Sequence, residues 1–148
     1  DIAGLFKKFE ITATTTKSNF SDAVFELSTD VASIDTEVEM RDNHLRSADF
    51  FDVEKYPKMT FKSISIKKIG KNKYKLVGTL TLHGITKPAI ITMWYRGTIV
   101  NEQSKAITAG FQFSGILKRS EFNVGSKFPS KMISDEVQIK ADCEFIKQ

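Results

Sequence analysis

Apolar and polar residues alternate with a period of two along most of the chain, a pattern typical of β-strands with one buried face. The alternation is most regular near the C-terminus, where every second residue from Val137 to Phe145 is apolar or cysteine and the residues between are polar or charged. Seven stretches follow this rule. The predicted strands cover about residues 5–16, 23–34, 59–69, 74–83, 89–96, 106–117 and 136–145.

The spacing of these strands predicts an all-β fold, because turns separate most neighbouring stretches as in antiparallel hairpins. Such a sheet curls into a barrel or folds into a sandwich. Several strands have ten residues or more, and long tilted strands favour the barrel. An even number closes an up-and-down barrel more naturally than seven, so we also expect an eighth strand before Asp1.

Residues 33–61 depart from the alternation, and the first half of this segment is mostly polar. Asp35 or Thr36 can cap the start of a helix. Pro57 pushes the residue before it to extended backbone, which ends any helix there. The segment therefore predicts a short helical connection, at about 36–50, that lies across one end of the sheet.

A set of apolar side chains occupies one face of the predicted strands, and in a barrel this face points inward. These candidate ligand-binding residues are Phe25, Phe61, Leu76, Leu80, Ile91, Met93, Phe111, Phe113, Ile139 and Phe145. The interior of an eight-stranded barrel is either filled by side chains or holds one small ligand. The alternation does not choose between these two outcomes.

Composition indicates one domain over residues 1–148, since 41% of the residues are hydrophobic. The net charge is +4, but the 22 basic residues are scattered along strands and turns. We interpret them as a solvated surface and expect no nucleic-acid partner. No apolar run reaches the length of a membrane-spanning helix, and no signal peptide is visible after Asp1.

Candidate catalytic chemistry is sparse. His44 and His83 lie in different elements without the paired spacing of metalloproteases, so we expect no metal site. Cys143 falls on the apolar face of the last strand, which predicts an inert, buried thiol. There is no glycine-rich phosphate loop. We therefore expect no catalytic residues, no cofactor and no enzymatic activity.

The densest polar cluster, around Arg41, Asp42, His44 and Arg46, has two interpretations. It is a hydrogen-bonded link between the helical connection and a strand end, or it places Arg41 and His44 at a cavity mouth. At the mouth these two side chains would contact the polar head of a lipid, and arginine suits phosphate bidentately. For His83 a structural hydrogen bond is the preferred interpretation.

Several motifs resemble the signature of the YceI-like family, in order and over the whole chain. They are SIDT at 33–36, MRDNHLRSADFFDV at 40–53, KYPKMTFKS at 55–63, GTLTLHGITKP at 78–88 and KRSEFNVG at 118–125. The resemblance implies a lipocalin-like eight-stranded antiparallel barrel, of which seven strands are visible in this chain. It also implies a periplasmic or secreted protein with an elongated cavity for a polyisoprenoid or fatty-acid-like lipid.

The function expected from this resemblance is binding of an elongated apolar lipid for transport or storage in an aqueous compartment. Its partners would be a polyisoprenoid or acyl lipid and, transiently, a membrane; the oligomeric state stays open, a dimer included. One alternative is an enzyme, or an enzyme accessory, acting on a small apolar substrate. A third is a scaffold or stress module with a filled barrel.

Overall fold

The computed structural model describes residues 4–16, 21–129 and 133–147, and within these ranges the chain is mostly β-strand. Two short 3-10 turns cover Val31–Ser33 and Arg119–Phe122. The remaining elements are β1 (Leu5–Phe6), β2 (Phe9–Thr14), β3 (Val24–Asp30), β4 (Ile34–Asp35), α1 (Glu39–Arg46), β5 (Lys58–Gly70), β6 (Lys73–Leu82), β7 (Ile85–Val100), β8 (Ile107–Lys118) and β9 (Glu136–Ile146).

Seven strands form one antiparallel sheet in the order β2-β3-β5-β6-β7-β8-β9, which confirms the predicted strands. The sheet curls until its edge strands β2 and β9 approach each other, with Cα atoms within 8 Å. Among the described residues no backbone ladder joins these two strands. The barrel is therefore nearly closed, and we call the gap between β2 and β9 the seam. The eighth strand stays a prediction.

The register of the ladders keeps the apolar residues on one side of the sheet. Ile91 on β7 faces Leu76 on β6 and Gly115 on β8. Because facing residues of antiparallel strands share a face, the apolar rows of neighbouring strands meet inside the barrel. Three shifts interrupt the order among the described residues: β5 bulges opposite β6 between Ser63 and Ser65 and again between Lys68 and Gly70, and β7 bulges opposite β8 between Tyr95 and Gly97.

The hairpin between β6 and β7 differs from the sequence prediction. β7 begins at Ile85, and Pro88 lies within the strand opposite Thr79, where the sequence predicted a turn. The turn has only two residues, His83 and Gly84, with φ of 55° and 75°. Positive φ at both positions is the geometry that joins two twisted strands most tightly, so the strand extends further back than the proline suggested.

One end of the barrel, the helix end, carries α1, the β6–β7 turn and a small sheet in which β1 pairs with β4. Phe6 therefore belongs to a separate strand opposite Ile34, so the single strand predicted over residues 5–16 is wrong at its start. The helix is shorter than predicted, and its N-cap is Val38 without a side-chain hydrogen bond. The opposite end, the hairpin end, carries the β5–β6 and β7–β8 turns. No helix within the described ranges combines the length and apolarity needed to cross a membrane.

Candidate functional site

All ten apolar residues predicted to point inward lie in the hydrophobic core or pack against it. Leu76, Leu80 and Met93 are fully buried in the middle of the barrel. Ile139 and Phe145, on the edge strand β9, are only half-buried. The inward direction of these side chains follows from the strand register. Their role as ligand contacts stays a prediction.

A phenylalanine cluster occupies the interior between β3 and the pair β8 and β9. The ring of Phe25 makes edge contacts with Phe111, Phe113 and Phe145, at centroid distances of 6.0, 5.5 and 6.0 Å. Phe111 also contacts Phe145 at 5.5 Å. Edge-to-face rings at these distances attract each other beyond their burial. The cluster therefore holds β3 against β8 and β9 across the interior and fills it at this level.

Along the seam, by contrast, inward-facing side chains remain open to solvent. Phe9 on β2 is 45% exposed. Ile11 on β2 and Ala141, Cys143 and Phe145 on β9 are half-buried. A ladder strand between β2 and β9 would cover these residues, and no such strand occurs in the described ranges. The seam is therefore a strip of uncovered apolar surface that continues into the core.

Cys143 lies on this strip, and its environment suppresses thiol chemistry. Burial raises the pKa of the Cys143 thiol to about 11, and the nearby Asp142 carboxylate acts in the same direction. The thiolate is the nucleophilic form of cysteine, so a protonated thiol is a poor nucleophile. The raised pKa agrees with the predicted inertness, although the side chain is half-buried and not enclosed.

Arg41 fastens α1 to the end of β4. Its Nε donates a hydrogen bond to Thr36 Oγ1 and its Nη2 donates to the Thr36 carbonyl oxygen, both at 2.8 Å. The buried Asp42 carboxylate accepts hydrogen bonds from the backbone N–H and the hydroxyl of Thr36, at 2.9 and 2.5 Å. These contacts form the structural link that was one interpretation of the polar cluster. Contact between Arg41 and a lipid head group stays a prediction.

His44 connects α1 to the loop after β8. Its Nε2 lies 3.1 Å from Asp49 Oδ2, and its ring packs edge-on against Phe50 and Phe128. A hydrogen bond from Lys127 is the main cause that holds the pKa of Asp49 below its usual value, and a hydrogen bond from His44 acts in the same direction. His44 is exposed at the helix end, so it is separated from the phenylalanine cluster by α1 and the core beneath it. Its predicted contact with a ligand head group is untested.

His83, at the β6–β7 turn, makes the structural hydrogen bond that the sequence favoured. Its Nδ1 lies 3.0 Å from the carbonyl oxygen of Phe122, which can only accept, so Nδ1 carries the hydrogen. Its ring also packs against Tyr56 at 4.7 Å. The histidine thereby fixes the loop after β8 to the turn at the helix end.

Arg119 is the residue that sequence reasoning missed. It is buried, and its guanidinium donates five hydrogen bonds of 2.7–3.1 Å to backbone carbonyl oxygens. The acceptors belong to Val124, Gly125, Phe128, Ile133 and Ser134. The sequence feature that could have pointed to Arg119 is the motif at 118–125. Its arginine is the centre around which this loop folds.

Two depressions of the described residues lie on the outside of the barrel. One, of about 350 Å³, lies on the outer face of β2, β3, β5 and β6 and is lined mainly by threonines with Glu10, Glu26 and Lys62. The other, of about 270 Å³, lies at the helix end between Lys8, Asp42 and Arg46. Neither is an apolar tunnel. Within the described part of the chain, no three His, Cys, Asp or Glu side chains are grouped to hold a metal ion.

Comparison with known proteins gives a consistent assignment. Residues 1–145 match the family model of the YceI-like domain. A UPF0312 protein of Photorhabdus laumondii is 35% identical over 145 residues, which cover 98% of this chain and 73% of the relative. The crystal structure of the Campylobacter jejuni YCEI protein has a TM-score of 0.91 and 28% identity, and covers 100% of this chain and 86% of that chain.

The name of a more distant structural neighbour mentions a ligand class. This neighbour is a polyisoprenoid binding domain from Saccharophagus degradans, with a TM-score of 0.51 and 17% identity, covering 83% of this chain and 74% of that domain. At this identity the likeness concerns the fold alone.

Proposed function

Because the chain belongs to the YceI-like family, we propose that it binds an elongated apolar lipid, of polyisoprenoid or fatty-acyl type, along the seam of its barrel. The proposed role is non-catalytic transport or storage of this lipid in an aqueous compartment, the periplasm or the medium. The polyisoprenoid binding domain of Saccharophagus degradans has a related fold, which supports the ligand class by analogy.

The observation that carries the proposal is the gradient of burial across the inner face. Inward side chains on β6 and β7, such as Leu76 and Met93, are fully buried, whereas Phe9 on β2 is 45% exposed. Phe145 on β9 is also uncovered in part. Apolar surface that faces inward and is still wet is the kind of surface that a lipid chain would cover.

The energetics of such binding are adequate without a charged contact. Removing ten methylenes from water stabilises a complex by about 8 kcal/mol gross, at ~0.8 kcal/mol each. Ordering the chain and its partner costs several kcal/mol, which leaves roughly millimolar affinity for ten methylenes. Burying about five more methylenes adds about 4 kcal/mol and gives roughly micromolar affinity. A bilayer interior is equally apolar, so exchange with a membrane would be near neutral. Near-neutral exchange is what a carrier needs, since both uptake and release must occur.

The phenylalanine cluster sets where the lipid would lie. Phe25, Phe111 and Phe113 interlock, so the middle of the barrel has no preformed channel at their level. A chain lying along the seam would instead contact Ile11, Cys143 and the outer edge of the Phe145 ring. We therefore place the proposed site on the inner face beside the seam and not in a closed central tunnel, and the eighth strand expected before Asp1 would form the outer wall of this site.

Native mass spectrometry of the protein with geranylgeraniol and with palmitate tests the proposal. We expect one bound molecule of at least one probe, and slower alkylation of Cys143 when the probe is present, because the lipid would cover the thiol. Phe145→Ser should weaken binding about tenfold or more, since the lost ring contact is worth about 1.4 kcal/mol or more. Glu144→Ser, on the outer face of the same strand, is the matched control and should leave affinity unchanged.

Circular dichroism of both variants should first show that they are folded, so that the affinities can be compared. Absence of any complex, with either probe and with wild-type protein, would rule out the seam site. Binding that leaves Cys143 alkylation unchanged and is insensitive to Phe145→Ser would place the lipid elsewhere.

The interlocked cluster favours a second candidate, a scaffold whose barrel is simply filled. This alternative predicts that neither probe binds and that Phe145→Ser only lowers the free energy of unfolding. The same mass-spectrometric titration, combined with urea unfolding of Phe145→Ser, therefore decides between the two functions.

A further inference from the structure

The charged residues of this chain are unevenly distributed. Residues 55–101 contain ten lysines and arginines and no aspartate or glutamate, although the whole chain has 22 basic and 18 acidic residues. This run forms β5, β6 and β7, which are neighbours in the sheet. One side of the barrel is therefore basic, and all 18 acidic residues lie outside this run.

The basic side chains are densest at the hairpin end. Five lysines, at positions 67, 68, 71, 73 and 75, lie within nine residues around the β5–β6 turn. No salt bridge among the described residues uses any of them. The turn is fixed to β7, because the Tyr95 N–H donates a 2.8 Å hydrogen bond to the Asn72 carbonyl oxygen. The backbone that carries these lysines is consequently held next to the β7–β8 hairpin.

The β7–β8 hairpin presents aliphatic side chains at its tip. Ile99 is 73% exposed, and Val100 and Ile146 are also largely exposed. Ile99 and Ile146 flank Thr108 on the outer face, whereas Val100 faces Ile107 on the inner face. Both faces of the tip are therefore apolar, and a tip of this kind has a partner more often than isolated surface isoleucines do.

Hydrogen bonds order the backbone of the tip. Asn101 Oδ1 accepts hydrogen bonds from the backbone N–H groups of Gln103 and Ser104, both at 2.9 Å. The Lys105 N–H donates to the Asn101 carbonyl oxygen at 2.8 Å, and the Lys147 N–H donates to that of Ile107 at 2.9 Å. Binding through this tip would need little ordering of the backbone.

We propose that the hairpin end docks on a bilayer surface that contains anionic phospholipid. The aliphatic tip enters the interface between head groups and acyl chains, and the five lysines contact the phosphates. Membrane attachment of this reversible kind needs two weak signals together, an apolar insertion and a basic patch. This inference extends the proposed function to the site of lipid exchange, but the docking itself does not require a lipid in the seam.

Two other occupants fit the hairpin end less well. Single-stranded nucleic acid is held by aromatic stacking as well as charge, but the Trp94 ring beside these lysines is half-buried and already lies against Lys73 and Arg96, and the tip itself offers isoleucine and valine. A second copy docked tip to tip would bring two clusters of lysines together, which is repulsive. An anionic bilayer matches both the charge and the aliphatic chemistry.

Vesicle co-sedimentation tests the proposal with phosphatidylcholine vesicles that contain or lack phosphatidylglycerol. We expect binding only to the anionic vesicles, and weaker binding at high salt because the Debye length shortens. The triple variant Lys67→Gln, Lys68→Gln, Lys71→Gln should lose about a hundredfold in partition coefficient, since each lysine near an anionic surface contributes about fivefold. The control Lys55→Gln, Lys87→Gln, Lys118→Gln removes the same charge from the helix end and should retain most binding.

The apolar contribution has its own matched pair. Ile99 and Ile64 are both 73% exposed, but Ile64 lies at the bulge of β5 and not at the tip. Ile99→Asn should weaken vesicle binding several-fold, whereas Ile64→Asn should leave it unchanged. Neither substitution removes a buried contact, so both variants should fold.

Three results would overturn the proposal: no binding to anionic vesicles, equal losses in the two lysine triples, or equal losses at Ile99 and Ile64. Concentration-dependent dimers that the hairpin-end triple abolishes, or tighter binding to single-stranded DNA than to vesicles, would assign this end to another partner. Native mass spectrometry of the hairpin-end triple with palmitate separates this test from that of the seam, since docking can fail while lipid binding persists.

Discussion

At the scale of single residues, the strictest requirement lies at Gly78. A Cβ at this position would lie 2.2 Å from the Lys62 carbonyl oxygen and 2.8 Å from the Ser63 Cα. These are backbone atoms of the bulged strand β5, which cannot rotate away. We expect Gly78→Ala to lower the free energy of unfolding by about 2–4 kcal/mol, as measured by urea denaturation.

Gly110→Ala is the matched control for this prediction. Gly110 also lies within a strand, and a Cβ there would meet the Arg96 Cβ at an ordinary 3.6 Å. The free energy of unfolding of the Gly110→Ala variant should differ from that of the wild type by less than about 1 kcal/mol. Equal effects of the two substitutions would show that the close approach at Gly78 is unimportant. Only the register of β5 against β6 distinguishes Gly78 from Gly110, because it places the β5 backbone against Gly78.

The thiol of Cys143 gives a second residue-scale prediction. Its pKa is raised from 9.0 to about 11 in the folded protein. Alkylation by iodoacetamide should therefore accelerate up to about pH 11 in native protein and level off near pH 9 in denatured protein. Because the native state holds the proton more tightly, this group's contribution to stability is complete below pH 9 and is lost between pH 9 and 11. A native profile that levels off near pH 9 would mean that the side chain is fully solvated.

At the scale of elements, the loop after β8 depends on Arg119. Replacing Arg119 by methionine removes the guanidinium donor from five carbonyl oxygens, and the hydrogen bonds to Val124 and Gly125 are buried. We expect a loss of about 3–5 kcal/mol in the free energy of unfolding. Limited proteolysis should cut this loop first. The adjacent Lys118 is exposed, so Lys118→Met should change neither stability nor cleavage. Unchanged proteolysis of Arg119→Met would show that the loop is held by its apolar contacts instead.

The elements differ in how much of them the sequence could predict. The seven long strands obey a period of two because each buries one face, so their positions are visible without a structure. The short strand β1 is not, since two residues carry no period and its pairing with β4 comes from tertiary contacts. The contacts of Arg119 are likewise not predictable from the sequence, because its five partners are backbone oxygens that any residue supplies; the motif at 118–125 marks the residue but not its role.

At the scale of the whole molecule, the barrel class was predictable and the use of its interior was not. The inward residues follow from alternation, but whether Phe25 meets Phe111 or a ligand depends on how far the sheet curls. The charge asymmetry was present in the sequence as an acid-free run over residues 55–101. Its meaning needed the sheet order, which makes β5, β6 and β7 neighbours and gathers scattered lysines on one side.

The unjoined edges of β2 and β9 have a further consequence for solutions of this protein. Exposed strand edges are templates for intermolecular pairing, and here the two edges face each other across the seam. An extended segment that one copy inserts into the seam of the next would pair with both edges, and such a head-to-tail exchange propagates into a filament unless the rotation closes a ring. Light scattering of the 148-residue chain at rising protein concentration should therefore report open-ended polymers, whereas the eighth strand expected before Asp1 would fill the gap and act as a chain terminator.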